Sequence, residues 1–492
     1  MNTSAQLQLV EALHPVLNDE IRRIFEDSLA VLVRKLDLAV VQAQKLQDPR
    51  SAPRLGFLHF RRRARGSKYA LNQSVLDAAI QDLETWQGRC MVALDLNMRD
   101  PNPLIDEKLK KMRQTQHSRG GGQGATPATG GGGASPLSLT GGIRDALQPA
   151  GTQPSVFLPS AVFETSAIPF SRARAACMQS PSKTRWFILD TLPCRPETDV
   201  RALQDDVRDL ALKLRRADPF AFGLLNCKGA IRVFKPPPPP QQLDLAGFDL
   251  VFNLPEGTDA KQLQSLRALL LLSRDGAPSL LRRVRLAQEL ATSVSYVHTF
   301  RFVHKNICPE SVLLFQDTQG AGGSANRRSS FLIGFESFRS AAQSTSLTGD
   351  QDWARNIYRH PERMGEFPAE AYKMQHDIYS LGVCLLEIGL WEPLVEYRSS
   401  GDTEPEHGRV CREFVSTGKH WLYFKEHLVR LAENELPRRM GDRYADVVVT
   451  CLTCLDGDGE FGGQAEVADD DGILVGVRFI DTIFGQLEAI VL

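Results

Sequence analysis

The stretch from Leu280 to Leu314 constrains this chain most. Leu280, Val284, Ala287, Ala291, Val294 and His298 recur at helical spacing and predict one long helix with an apolar face. Phe302-Val303-His304-Lys305-Asn306-Ile307-Cys308-Pro309-Glu310-Ser311-Val312-Leu313-Leu314 follows, a tight polar loop leading into an apolar strand. About twenty residues on, Leu332-Ile333-Gly334-Phe335-Glu336 reads as a second buried strand ending in a turn. Asp377-Ile378-Tyr379-Ser380-Leu381-Gly382-Val383-Cys384-Leu385-Leu386-Glu387 predicts a central helix, and Val447 to Leu455 a buried one.

These pieces resemble the catalytic loop, metal-binding turn and central helix of a eukaryotic protein kinase, with patterns H-R-D-x-x-x-x-N, D-F-G and D-x-W-S-x-G. Tyr358-Arg359-His360-Pro361-Glu362 is similar to the A-P-E end of the activation segment. His304, Glu362 and Asp377 then stand at scaffold positions. The resemblance implies that the Asp377 carboxylate holds the loop backbone; as an aspartate it can also cap its own helix. The chemistry departs from the pattern. Asn306 stands where the family has its catalytic Asp, and an amide accepts no proton. A positioned acid or base contributes on the order of a hundred- to ten-thousand-fold. Cys308 replaces the loop Lys, Ser311 the Asn that holds one magnesium, and Gly334 the Asp of D-F-G. Magnesium takes hard oxygen ligands, and glycine has none.

The resemblance therefore implies a pseudokinase with no catalytic residue, cofactor or metal, acting in signalling or as a scaffold by binding other proteins. The alternative is a divergent active kinase that binds ATP and magnesium and phosphorylates Ser or Thr, with Glu310 and Glu336 as the nearby carboxylates. The expected fold class is α+β: a bilobal kinase-like domain over residues 156–492, preceded by an all-α helical bundle. The small lobe would span about 156–258 and the large lobe about 259–492.

In the small lobe, Arg185 to Asp190 reads as the first strand and Val200, Leu203, Val207, Leu210 and Leu214 as the stripe of a helix. Phe220 to Cys227 and Ala230 to Phe234 are expected to pair as a hairpin, with Phe248 to Phe252 as a further strand. No G-x-G-x-x-G precedes the first strand, and it carries Asp190 rather than a lysine. Lys183 and Lys228 are the fallback lysines. Pro236 to Pro240 predicts extended polyproline II, either a stiff connection or a ligand for a proline-binding groove.

Residues 1–115 carry amphipathic stripes, one over Leu17, Ile21, Ile24, Phe25, Ser28, Leu29, Leu32, Val33, Leu36 and Val40, another over Leu71, Val75, Ala79, Ile80, Leu83, Trp86 and Cys90. Arg54-Leu55-Gly56-Phe57-Leu58 and Ile80 to Gln87 resemble the back half of the HeLo-type helical domains of fungal cell-death proteins. That resemblance implies a membrane-acting effector as a further alternative. Arg61, Arg62, Arg63 and Arg65 are candidates for contact with an anionic membrane, each basic residue contributing ~1 kcal/mol there; the other reading is a solvated loop. Residues 116–155, rich in Gly, Ser and Pro, are expected to be a flexible tether.

A net charge of -1 gives no pull toward nucleic acid. Nine cysteines without framework spacing read as reduced thiols in a cytoplasmic protein. Cys451 and Cys454 lack the second pair that zinc needs. Asn326-Arg327-Arg328-Ser329-Ser330 offers Ser329 and Ser330 as candidate phosphorylation sites.

Overall fold

A computed structural model describes residues 3–47, 86, 88–119, 135–148, 155–160, 163–179, 184–194, 199–235, 244–272, 276–315, 329–335, 338–340, 351–365, 368, 371–398, 404–457, 459–461 and 472–490. The chain forms two units, Met1–Leu137 and Ser138–Leu492. The fold is α+β. The expected resemblance at Arg54–Leu58, the arginine run, the proline run, Lys183 and Glu336 all lie outside the described residues, as does the 80–87 motif apart from Trp86.

The first unit is helical. Helices Thr3–Leu13, Asp19–Gln47, 88–97 and Pro103–Arg119 bury Leu9, Leu13, Ile21, Ile24, Phe25, Leu94, Ile105 and Leu109. Asn18 begins the second helix, its side-chain oxygen accepting the Glu20 N–H at 3.0 Å. Of the described side chains in the expected stripe, Leu17, Ile21, Ile24, Phe25 and Ser28 are buried, while Leu29, Val33 and Val40 are exposed. The second helix, Asp19–Gln47, is about 44 Å long. Among the described residues no helix is long and apolar enough to cross a membrane.

A further helix runs, in sequence, across the boundary between the two units. Pro136–Leu147 is a helix that buries Leu137, Thr140, Ile143 and Arg144, inside the stretch expected to be a tether. An apolar repeat at Leu137, Leu139, Ile143 and Leu147 outweighs the two glycines within it.

Five antiparallel strands follow: β1 (Glu164–Ala167), β2 (Arg174–Met178), β3 (Arg185–Pro193), β4 (Cys227–Phe234) and β5 (Leu245–Asn253), in the order β1-β2-β3-β5-β4. The strand read as first in the sequence is thus the third. The hairpin expected from Phe220 is also corrected. Pro219–Phe222 is a helical turn capped by Asp218, and β4 pairs instead with β5. Alternation along β3 sends Phe187 and Leu189 to one face, with Ala176, Ile231 and Val251. Ile188, Asp190 and Leu192 take the other. Helix Val200–Leu214, capped by Asp199, packs Val207, Leu210, Ala211 and Leu214 inward.

After β5 the chain is mostly helical. Helix Met374–Leu390 is buried along its whole length among helices Leu280–Thr299, Phe424–Met440 and Asp442–Leu452. Gly382 lets the last of these approach: a Cβ there would lie 2.6 Å from the Cys451 Cβ. Cys451 and Cys454 are buried, and the Cys454 thiol donates to the Gln375 carbonyl at 3.2 Å, a core role. Two short ladders, Val312–Leu314 with Ser330–Leu332 and Phe302–Val303 with Arg339–Ser340, set the loop from His304 beside the Gly334 turn.

Candidate functional site

That loop and turn form one wall of a cleft of about 540 Å³. The turn between β1 and β2 also lines it, together with Asp190, Tyr358, Arg359, Ser380 and Tyr397.

Asp377 holds the loop. Its carboxylate accepts the main-chain N–H of His304 at 2.7 Å and of Lys305 at 2.9 Å, and the Tyr372 hydroxyl at 2.7 Å. His298 Nε2 lies 3.1 Å away. Burial alone would raise this carboxyl, but the His298 hydrogen bond, electrostatic attraction from the neighbouring imidazoles and the main-chain N–H of His304 outweigh it and hold it low. These bonds correct the capping role: Lys373 is the N-cap residue, and Asp377 lies inside the first turn facing the loop. His304 is buried against the Phe335 ring at 4.9 Å, and burial pulls its imidazole down to about 4. It is neutral and acts as packing.

The positions expected to have lost chemistry sit together. The Asn306 amide donates to the Gly334 carbonyl at 3.1 Å. The Ser311 hydroxyl donates to the Cys308 carbonyl at 2.8 Å and accepts the Cys308 N–H at 3.2 Å, closing its own turn. Burial pushes the Cys308 thiol well up, so it is no nucleophile. Gly334 has φ +91°, and a Cβ there would lie 2.9 Å from the Ser311 Cβ and 3.1 Å from Asn306 Nδ2. The turn is shaped for glycine.

Asp190 was missed as a functional residue; the sequence shows only that it is not a lysine. Its side chain crosses from β3 to the turn, where one carboxylate oxygen accepts the N–H of Gly334 at 3.1 Å and of Phe335 at 2.8 Å. Glu310, offered as a substitute acid, is committed as well. Arg267, fully buried, donates to Glu310 at 2.7 Å, to Glu387 at 2.8 Å and to the Tyr358 hydroxyl. Asp352, the third carboxylate lining the cleft, caps a helical turn through the Ala354 N–H at 3.0 Å. Each described carboxylate of the cleft wall therefore has an internal partner, and none is placed as a general base. Of the fallback lysines, Lys228 is exposed on β4 with its ammonium 4.7 Å from the Phe187 ring centre, away from the cleft.

Glu362 does not enter the cleft. With His360 and His376 it brings three ligand-type atoms within 4.8 Å of one another. Nδ1 of each ring accepts a main-chain N–H, from Glu362 at 3.4 Å and from Lys373 at 2.8 Å. In the neutral rings the proton is then on Nε2, where a cation would need a lone pair. The His376 imidazole, its Nε2 3.9 Å from the carboxylate, holds the Glu362 carboxyl low, and the trio brackets the start of the central helix.

Ser329 and Ser330, the candidate phosphorylation sites, lie against Glu289. Ser330 is buried and its hydroxyl donates to Glu289 at 2.6 Å; the N–H of Ser329 donates to the same carboxylate at 3.2 Å. A phosphate on either would be pressed against Glu289. No family model matches this sequence, and no curated protein matches it.

Proposed function

We propose that this chain is a kinase-like protein that has lost phosphoryl transfer and acts in signalling by binding other proteins, with a helical region before a two-lobed domain. The order of elements supports the reading: an antiparallel sheet with helix Val200–Leu214 between its third and fourth strands, a connection, then a helical part around a central helix. The grip of Asp377 on the main chain at His304 and Lys305 supports it too, because that is the role the resemblance implies.

The observation that carries the loss of chemistry is Asp190. The family places a lysine on the third strand to meet ATP phosphates. Here the third strand offers a carboxylate, spent on the N–H groups of Gly334 and Phe335. A buried negative charge there repels phosphate rather than holding it.

The test is a thermal-shift titration with ATP, with and without magnesium. The proposal expects no magnesium-dependent stabilisation. A ligand at a hundred times its Kd would add about 2.7 kcal/mol, so binding would be visible. Magnesium-dependent stabilisation together with transfer of labelled phosphate would establish the active-kinase alternative instead.

A further inference from the structure

We propose that an aromatic platform on the helical part, formed by Trp353, His407 and Trp421, takes the Pro236–Pro240 run of a second copy of this chain. The three rings come from separate elements: the helical turn Trp353–Asn356, the strand pair Val395–Glu396 with Glu406–His407, and the short turn Trp421–Tyr423. Trp353 and His407 have ring centroids 4.2 Å apart, and His407 and Trp421 5.6 Å apart, so the outer rings are at most about 10 Å from each other. Trp421 packs on Phe414 and Phe424 at 5.3 and 5.0 Å, and both of these are buried, which fixes its place. The platform rings are half-buried. Val415, Leu422 and Tyr423, close to Trp421 in sequence, are exposed. Apolar surface gathered in this way marks an interaction site.

The chemistry of this surface names its occupant. Neither indole N–H, at Trp353 or at Trp421, meets an acceptor among the described residues. The platform therefore offers ring faces and unspent donors. A proline run is the complement: it has no N–H, and in polyproline II its carbonyls have no internal partner. Polyproline II repeats every three residues, about 9.3 Å, which matches the span from Trp353 to Trp421. Prolines one turn apart then meet the two outer rings, as proline segments do in aromatic-lined grooves. The chain carries such a run itself, between β4 and β5. The N–H of Lys235 donates to the Asp244 carbonyl at 2.8 Å, which ties both ends of the run to the β4 edge of the sheet and limits its reach to about 14 Å. The run of a second copy is free of that limit. Each copy supplies one run and one platform, and a two-fold pairing uses both. The inference deepens the proposed function by naming the partner, and it rests on that reading only in taking the chain to act by binding.

Sedimentation velocity on the full chain, over a range of concentrations, tests it. The unaltered chain should form a dimer as concentration rises. Pro237→Ser, Pro238→Ser and Pro239→Ser together should weaken the dimer about tenfold or more, and so should Trp421→Ala, the loss expected of a central aromatic anchor. Mixed in equal amounts, the two variants should pair again, because the first keeps its platform and the second keeps its run. A fluorescein-labelled peptide spanning Lys235–Asp244 reads a single contact by anisotropy. Trp353→Phe keeps a ring and removes the N–H, and it should weaken the peptide about fivefold, the worth of one hydrogen bond. A chain that stays monomeric at every concentration would overturn the proposal even if the peptide binds, since the platform would then serve another protein's proline segment. A serine variant that dimerises as well as the unaltered chain would overturn it too, as would peptide binding unchanged in Trp353→Phe. Magnesium-dependent ATP binding would overturn the loss of chemistry without touching these results, so the two readings fail separately.

Discussion

Replacing Gly334 by alanine separates backbone strain from crowding. At φ +91° an added Cβ carries a left-handed penalty of about 1–2 kcal/mol. It also meets the Ser311 Cβ at 2.9 Å and Asn306 Nδ2 at 3.1 Å. Neither neighbour yields easily. Ser311 is closed on Cys308 by two hydrogen bonds, and Asn306 lies one residue beyond the pair of N–H groups gripped by Asp377. Moving Asn306 gives up its bond to the Gly334 carbonyl, about 1 kcal/mol, and overpacking of this kind costs about 1–3 kcal/mol. The expected loss is about 3 kcal/mol. Gly418 is the control: it has φ +68° and nothing within 4 Å of its would-be Cβ, so Gly418→Ala should cost only the strain, about 1 kcal/mol. Both variants belong to the same unit and are compared by their urea midpoints in one transition. Equal losses in the two would refute the claim that the loop and turn are packed against each other.

Two further outcomes follow from buried charge. Arg267→Leu should destabilise by about 3–5 kcal/mol, because it leaves Glu387 buried without its cation. Combining it with Glu387→Leu should recover much of that loss in the same urea assay, and a silent single variant would mean that the bond carries no weight. Acid should also weaken the fold. Burial lowers the imidazoles of His304 and His360 from 6.5 to about 4. The unfolded chain therefore takes up protons first, and the stability present above pH 6.5 is lost as pH falls toward 4. The loss is at most about 3 kcal/mol for each ring. Urea midpoints at pH 7, 5.5 and 4.5 should fall in that order; a flat profile would show that the rings are solvated.

The loop, the turn and the central helix are legible in the sequence because each carries its own local pattern. Asp377 is legible as a holder of the loop because the motif places it; its capping role is not, since only the fold shows which residue starts the helix. β1 and β2 are hidden. Glu164-Thr165-Ser166-Ala167 is exposed throughout, and Ala175-Ala176-Cys177 is built of small side chains, so neither shows the branched, alternating pattern of a strand. Their connecting turn lacks the glycine that marks a hairpin. The helix Pro136–Leu147 is masked by the glycine runs before it. Asp190 is the deepest case: its partners Gly334 and Phe335 are 144 and 145 residues away, and no spacing rule reaches that far.

The bond between Asp190 and the Gly334 turn has an evolutionary consequence. An aspartate placed at 334 would enter a turn that rejects a side chain, next to an existing carboxylate. A lysine placed at 190 would strip two buried N–H groups of their acceptor. Each change is harmful while the other residue stands, so substitutions at 190 and 334 are tolerated only in combination. Mutual epistasis of this kind ties the fate of one position to the other across the whole domain.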